Sequence, residues 1–360
     1  MRLPLHDIHQ GLRARMGLVA DVEVPLDYGD PVLEHRAVRE AVGLADRSHR
    51  RVWRAAGPDA ARFLHGLLSN DIEGLSPGQG CYATFLTERG MILTDLVVHR
   101  RAEDFLLHAP AETGPKALML LERFLIGDDA RLEDLSGHMG ALGVYGPRAP
   151  AVVAALGDPV ARIPEWHFVE RNFAGARLLV SAARWTGEDG FEILAPVAAL
   201  AALWDRLLGS VRAQDGRPVG DTALDTLRVE AGTPRAGVDF DEDTIPQQAG
   251  LDHAISFTKG CFRGQEIVLR VRTRGHANRI LAGLALSGPG SPLPPRGTGV
   301  LHEGVEAGRI TSAIFSPSLG KPIALAMLHR TAATPGTLLE IGSTPARQAT
   351  VVPLPFYRRA

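Results

Sequence analysis

Lys259-Gly260-Cys261-Phe262-Arg263-Gly264-Gln265-Glu266 places one of only two cysteines between cations and just ahead of a helix start. A thiol so placed loses its proton more readily, because Lys259, Arg263 and the helix N-terminus all favour the thiolate. The chain has only three lysines, Lys116, Lys259 and Lys321, so a lysine two residues before a cysteine stands out. The competing reading is a buried cysteine that fills an apolar gap, the commoner fate of a free cysteine. Local sequence leaves both open. Gln265 and Glu266 in a first turn and Gly275 as a stop suit a helix, whereas Arg270, Arg272 and Arg274 alternate as in a strand. The arginines read as a solvated face or as an anion-facing rim.

Composition bounds the function classes. The chain has 360 residues, 45% of them hydrophobic, and a formal net charge of -2, with a pI near 6.7. That length allows two or three domains with proper cores. The charge balance argues against a nucleic-acid coat or a membrane-surface binder. Cys81 and Cys261 cannot supply a four-cysteine zinc or iron–sulfur site, so no metal centre is expected, and nothing supports a disulfide between them. Met1 to Ala20 lacks the apolar core of a signal peptide. No apolar run approaches the ~20 residues of a spanning helix. A soluble, cytoplasmic protein is expected.

Periodicity predicts helices over Pro31–Val42, Pro58–Leu68, Ala117–Ile126, Pro147–Leu156, Val197–Leu208 and Asp221–Ala231, the last with Asp221 as N-cap and Gly232 as stop. Cys81–Leu86 and Met91–His99 read as a hairpin joined by Thr87-Glu88-Arg89-Gly90. Ala141–Tyr145, Phe168–Ser181 and Gly190–Leu194 read as strands. Beyond Arg279 the texture becomes short apolar runs broken at Pro292–Pro295, Ser316-Pro317 and Pro335-Gly336, as in a small β-barrel. Residues 1–279 and 280–360 are therefore separate units.

Three residues stand out chemically. Glu192, in Gly190-Phe191-Glu192-Ile193, is a carboxylate on the strand face opposite Phe191 and Ile193. It costs free energy there unless it meets a good donor: a backbone group, an arginine, or a ring with paired N–H donors. Arg228, four residues after Leu224, lies at the edge of a packed helix face, where it reaches inward or pairs with Asp225. Asp95 is an acid within an apolar strand beyond a tight turn, held for chemistry or bonded to a loop.

The order and spacing of these blocks resemble the glycine-cleavage T-protein/YgfZ superfamily of tetrahydrofolate-binding proteins over nearly the whole chain. Gly43-Leu44-Ala45-Asp46-Arg47-Ser48, Ser69-Asn70-Asp71, Thr186 to Glu192, Leu227 to Gly232 and Arg309-Ile310-Thr311-Ser312 are each similar to family blocks. The resemblance implies an α+β fold of three domains in a cloverleaf, two α+β domains (interleaved within 1–279) and a C-terminal β-barrel, with folate in the central hole. Lys259 to Glu266, with Cys261 where T-proteins carry aspartate, is similar to the YgfZ branch, which implies support of iron–sulfur enzymes, tRNA-modifying ones included, and iron–sulfur clients or assembly factors as partners. The implied folate contacts are Glu192, Arg228, Tyr82 and Lys259, and the implied catalytic residues are Cys261 and Asp95. Asp95 matches the second member of an aspartate pair that orients the folate nitrogen, and Thr94 stands in place of the first. The alternative implied activity is an aminomethyltransferase, or a folate-linked demethylase, that passes a one-carbon unit to tetrahydrofolate.

Overall fold

Gly90 adopts φ +72°, the left-handed conformation a tight turn requires, and the Thr87 amide donates to the Met91 carbonyl at 2.8 Å. Gly80–Leu86 and Ile92–Arg100 pair antiparallel on either side. With Asp104–Ala109, Arg51–Ala56 and Arg131–Asp134 they form a five-stranded sheet. The helices Ala60–Leu67 and Gly114–Glu122 cover one of its faces, burying Phe63, Leu64, Leu118 and Leu121 against Trp53, Phe85 and Phe105. The computed structural model from which this architecture is taken describes residues 2–157, 163–288, 292–342 and 346–359.

A six-stranded sheet forms the second α+β lobe. Its order is Phe168–Phe173, Ala176–Ala182, Gly190–Pro196, Met139–Tyr145, Gly43–Asp46 and Arg217–Pro218. The helix Val197–Ala213 lays Leu200, Leu203, Trp204, Leu207 and Val211 on one face. From the other face Ala141, Leu179 and Leu194 meet Val52 and Leu106 of the first sheet. The two sheets thus face each other, and buried polar side chains gather in the seam beside this apolar contact.

The third lobe is a closed six-stranded barrel that begins with Arg279–Leu286 and continues through Gly299–His302, Val305–Ser316, Lys321–His329, Leu338–Ile341 and Arg347–Val352. The helix Asp221–Glu230 lies between lobes. Leu224 and Leu227 pack on Val38, Ala45 and Tyr145, while Val229 packs on Ile323 and Leu325 of the barrel. A buried polar knot reinforces that junction. Glu230 accepts from His35 Nε2 at 2.8 Å, Arg39 Nη2 at 2.7 Å and the Ser318 hydroxyl at 2.9 Å, and also from Ser316.

Most predicted elements are present, with instructive differences. The arginine-rich stretch is a helix, Gln265–Arg274, so its strand-like alternation is incidental. Gly220, not Asp221, occupies the N-cap. A side chain there would stand 2.3 Å from the Leu26 carbonyl oxygen, and its amide donates to Glu34 at 2.8 Å. The close backbone crossing decides the cap. Cys81 and Cys261 are both free thiols. Among the described residues, no helix is long and apolar enough to cross a membrane.

Candidate functional site

Asp95 sits in the seam because strand alternation sends it to the face away from Leu96, which belongs to the helix-covered core. Its carboxyl is 5% exposed. Tyr82, diagonally across the hairpin, donates its hydroxyl to Asp95 Oδ2 at 2.7 Å, while Oδ1 is buried with no hydrogen-bond partner. Burial pushes the Asp95 carboxyl above its ordinary range; the Arg50 charge and the Tyr82 hydroxyl oppose that without cancelling it. Burial, then the Asp95 charge, raises the Tyr82 phenol well above its usual value, so it remains a donor.

Two adjoining cavities open here. The smaller, of ≈ 80 Å³, is lined by Asp95 together with Arg47, His49, Arg50, Tyr145 and Arg235. The larger, of ≈ 320 Å³, is walled by Tyr82, Trp166, Trp185 and His253. Trp185, Thr233 and Pro234 belong to both. Tyr82 stacks on Trp166 with ring centres 5.5 Å apart and on His253 at 5.5 Å, and meets Trp185 edge-on at 5.6 Å. Flat aromatic walls beside an unsatisfied carboxylate oxygen suit a planar ring that carries N–H donors.

The remaining expected site residues divide. Glu192 is buried behind the wall. It accepts from the Tyr145 hydroxyl at 3.0 Å and pairs with His108 Nδ1 at 3.0 Å, and Arg47 lies 3.8 Å away. Burial works against its charge, but His108, Arg50 and Arg47 outweigh it and hold the carboxyl far below its ordinary range. Arg228 lines the smaller cavity, yet its donors go to Asp225 Oδ1 at 2.8 Å, the Ser312 hydroxyl at 2.7 Å and Asp239. The Asp225 pairing is formed; no hydrogen bond or ion pair joins Arg228 to Glu192 among the described residues.

Lys259 and Cys261 line neither cavity. Lys259 Nζ donates to the carbonyls of His65, Leu68 and Asn70 at 2.5, 2.7 and 2.9 Å, which fastens the 256–264 loop to the first lobe. Gly264, at φ +79°, passes so close to the hairpin turn that a side chain would meet the Thr87 carbonyl at 2.4 Å. Cys261 is exposed. The motif therefore serves as a strap across the hairpin. Sequence reasoning missed Arg47, His49, Arg50, Arg235, Trp166, Trp185 and His253. Only the run Arg47 to Arg51, dense in charge between two strands, carried a signal.

Residues 5–259 match the GCVT N-terminal domain, and residues 279–358 match the glycine cleavage T-protein C-terminal barrel domain. The chain belongs to the glycine-cleavage T-protein family. Similar relatives include an aminomethyltransferase of Rubrobacter xylanophilus, 36% identical over 99% of this chain and 94% of that protein. Another from Parafrankia is 38% identical over 91% of this chain and 90% of its own length. The crystal structure of the glycine cleavage system aminomethyltransferase T from Bartonella henselae matches with a TM-score of 0.91 and 31% identity, over 99% of this chain and 98% of that one. Proteins of the T-protein family use tetrahydrofolate as the one-carbon acceptor.

These findings correct the expected iron–sulfur role. Relatives 31–38% identical over nine-tenths or more of the chain are named aminomethyltransferases, so the Lys259–Glu266 signature does not carry the chain into iron–sulfur enzyme support. Lys259 is occupied in holding the strap and Gly264 in its close pass of the hairpin turn, which gives those two positions a structural reason.

Proposed function

We propose that this protein is a tetrahydrofolate-dependent aminomethyltransferase. One observation carries the reading: the buried, unpartnered Oδ1 of Asp95 beside a cavity walled by Tyr82, Trp166, Trp185 and His253. The donor set fits the ligand, since folate presents a flat heteroaromatic ring with N–H groups. The four aromatic residues would hold the ring by stacking, and Asp95 would accept from a ring N–H. When bound, tetrahydrofolate supplies the nitrogens that take up the one-carbon unit.

The chain's own residues do the rest. Tyr82 fixes the Asp95 carboxylate in place and keeps one oxygen free. Asp95, poised upward by burial, is suited to hold or take a proton at that oxygen. Glu192 acts through Tyr145 and Arg47, which it orients in the wall, and Arg228 fixes the helix that bears Leu224 and Asp225. Thr94 in place of a carboxylate bonds Thr113 at 2.7 Å, so Asp95 works as a single acid.

Two measurements test the reading. Calorimetry should show tetrahydrofolate binding to the wild type and weakened binding to Asp95→Asn. The wild type should release ammonia from an aminomethyl-loaded lipoyl carrier only when tetrahydrofolate is present. A folded wild type that neither binds tetrahydrofolate nor turns the carrier over would overturn the proposal.

A further inference from the structure

The turn Arg47–Arg50, at the end of the strand Gly43–Asp46, brings Arg47, His49 and Arg50 to the smaller cavity. No partner grips Arg50 at its far end. It is 8% exposed, its Nε and Nη2 are buried without a hydrogen bond, and it makes no ion pair among the described residues. Its guanidinium lies over Trp185, 5.4 Å from the ring centre. The backbone must therefore place it, and that backbone is held by residues that line neither cavity. Asp46 Oδ1 accepts from the Ser48 amide at 2.8 Å, and the Arg50 amide donates to the Arg47 carbonyl at 3.0 Å. Asp46 Oδ2 meets His9 Nε2 at 2.9 Å, and His9 Nδ1 meets the Tyr28 hydroxyl at 2.9 Å. The His9 and Asp46 side chains are both fully buried, and His9 stands edge-on to Trp204 with ring centres 4.9 Å apart.

One arrangement of protons satisfies every group in this relay. Burial, then the charges of Asp46 and Glu34, push the Tyr28 phenol above its ordinary range, so it keeps its proton and donates to Nδ1. The neutral imidazole then carries its N–H on Nε2, aimed at the Asp46 carboxylate. Without that donor a buried carboxylate is left uncompensated, and its bond to the Ser48 amide is free to reorganise. Tyr28 also reaches the site by a second route. Its amide donates to Glu34 Oε1 at 2.6 Å, while Glu34 Oε2 accepts from Gly220, the N-cap of the helix that carries Asp221 and Asp225 into the cavity.

We propose that Tyr28, His9 and Asp46 are positioning residues that set the Arg47–Arg50 turn and, through Arg50, the positive charge that faces Asp95. Arg50 is the foremost charge that lowers the raised Asp95 carboxyl; Tyr82 lowers it from the hairpin, and Glu112 raises it from the loop after Asp104–Ala109. The other cavity charges are paired: Arg228 with Asp225 and Asp239, Arg235 with Glu112 and Asp221. Burial, with Arg47 and Arg50 beside it, keeps His49 neutral. That the turn serves turnover rests on the function proposed above; that the relay sets the turn does not.

The test uses the full chain with Tyr28→Phe, His9→Leu and His9→Gln, the last keeping an N–H for Asp46. Hydrogen exchange over residues 46–50, read by mass spectrometry, should quicken by about tenfold in Tyr28→Phe and His9→Leu, while the helix Ala60–Leu67 in the other lobe exchanges as before. His9→Leu should lower kcat by about 10²-fold, as a misplaced group does. Its KM for tetrahydrofolate should change by less than about threefold, because the aromatic wall stands on other elements. Its acidic limb should move up by about half a pH unit or more as Arg50 withdraws from Asp95, and His9→Gln should return both towards the wild type. If His9→Leu fails to fold, Tyr28→Phe keeps the ring and should show the same pattern with kcat lower by about tenfold. Unchanged exchange over 46–50 in a folded Tyr28→Phe, or exchange quickened equally along the whole chain, overturns the proposal whatever turnover does. A slower variant whose acidic limb stays in place overturns it too. A wild type without turnover would count against the function proposed above, and exchange over 46–50 would still decide the relay.

Discussion

The Tyr82 hydroxyl donates to Asp95 Oδ2 at 2.7 Å across the hairpin and leaves Oδ1 as a buried acceptor with no partner. A carboxyl raised in the folded state favours the protonated form, so its contribution to stability is present at low pH and lost as pH rises through the raised value. At neutral pH Asp95 therefore works against folding. Asp95→Asn should lower kcat/KM by about 10²–10⁴-fold while it raises Tm by about 2 °C or more. Kinetics and calorimetry on one preparation would show both; a variant that is inactive and less stable would refute this account.

Tyr82→Phe removes a hydrogen bond to the charged form of that carboxyl. The acidic limb of the pH–rate profile, already above the ordinary carboxylate range in the wild type, should move further up in the variant. An unmoved limb would mean that the rate follows another group.

Glu230 shows the opposite linkage. Burial opposes its charge, but the hydrogen bonds from His35 and Ser316, with the charges around it, depress it from 4.5 to about 2. Its stabilisation, on the order of 3 kcal/mol, is present above the unfolded value near 4.5 and is lost as pH falls toward 2. Glu230→Gln should reduce stability by about 3 kcal/mol at pH 7 and flatten the acid side of the stability curve. Urea melts between pH 7 and 3 would measure it.

The two cysteines should behave differently. Burial pushes the Cys81 thiol up to about 12, whereas Cys261 is exposed. Iodoacetamide on the native protein should label Cys261 and spare Cys81, as mass spectrometry would show. Cys261→Ala should change stability by no more than about 0.5 kcal/mol and leave turnover intact. A large loss of turnover would return the thiol to the chemistry.

What the sequence made legible was what is local. The hairpin, the helix Asp221–Glu230 and the Gly/Pro-punctuated barrel follow from turn chemistry and periodicity over a dozen residues. Asp95 could be singled out because an acid within an apolar strand is improbable without a purpose, whereas Tyr82 came only with the family resemblance. Arg47 and Arg50 could not, because only the facing of two sheets buries them. Lys259 illustrates the converse: its partners are carbonyls 189 to 194 residues away in sequence, so its spacing from Cys261 suggested chemistry where the fold uses it as a clasp.

The helix Asp221–Glu230 offers Asp221, Leu224, Asp225 and Arg228 to the cavity while Arg228 and Glu230 grip the barrel at Ser312 and Ser316. Whatever free energy ligand binding and barrel docking share through this helix acts equally in both directions. Ser312→Ala, remote from the aromatic walls, should weaken ligand affinity, and ligand should in turn slow amide exchange along Val305–Ser316. Through this one helix, a ligand seated in the seam would be felt in the barrel.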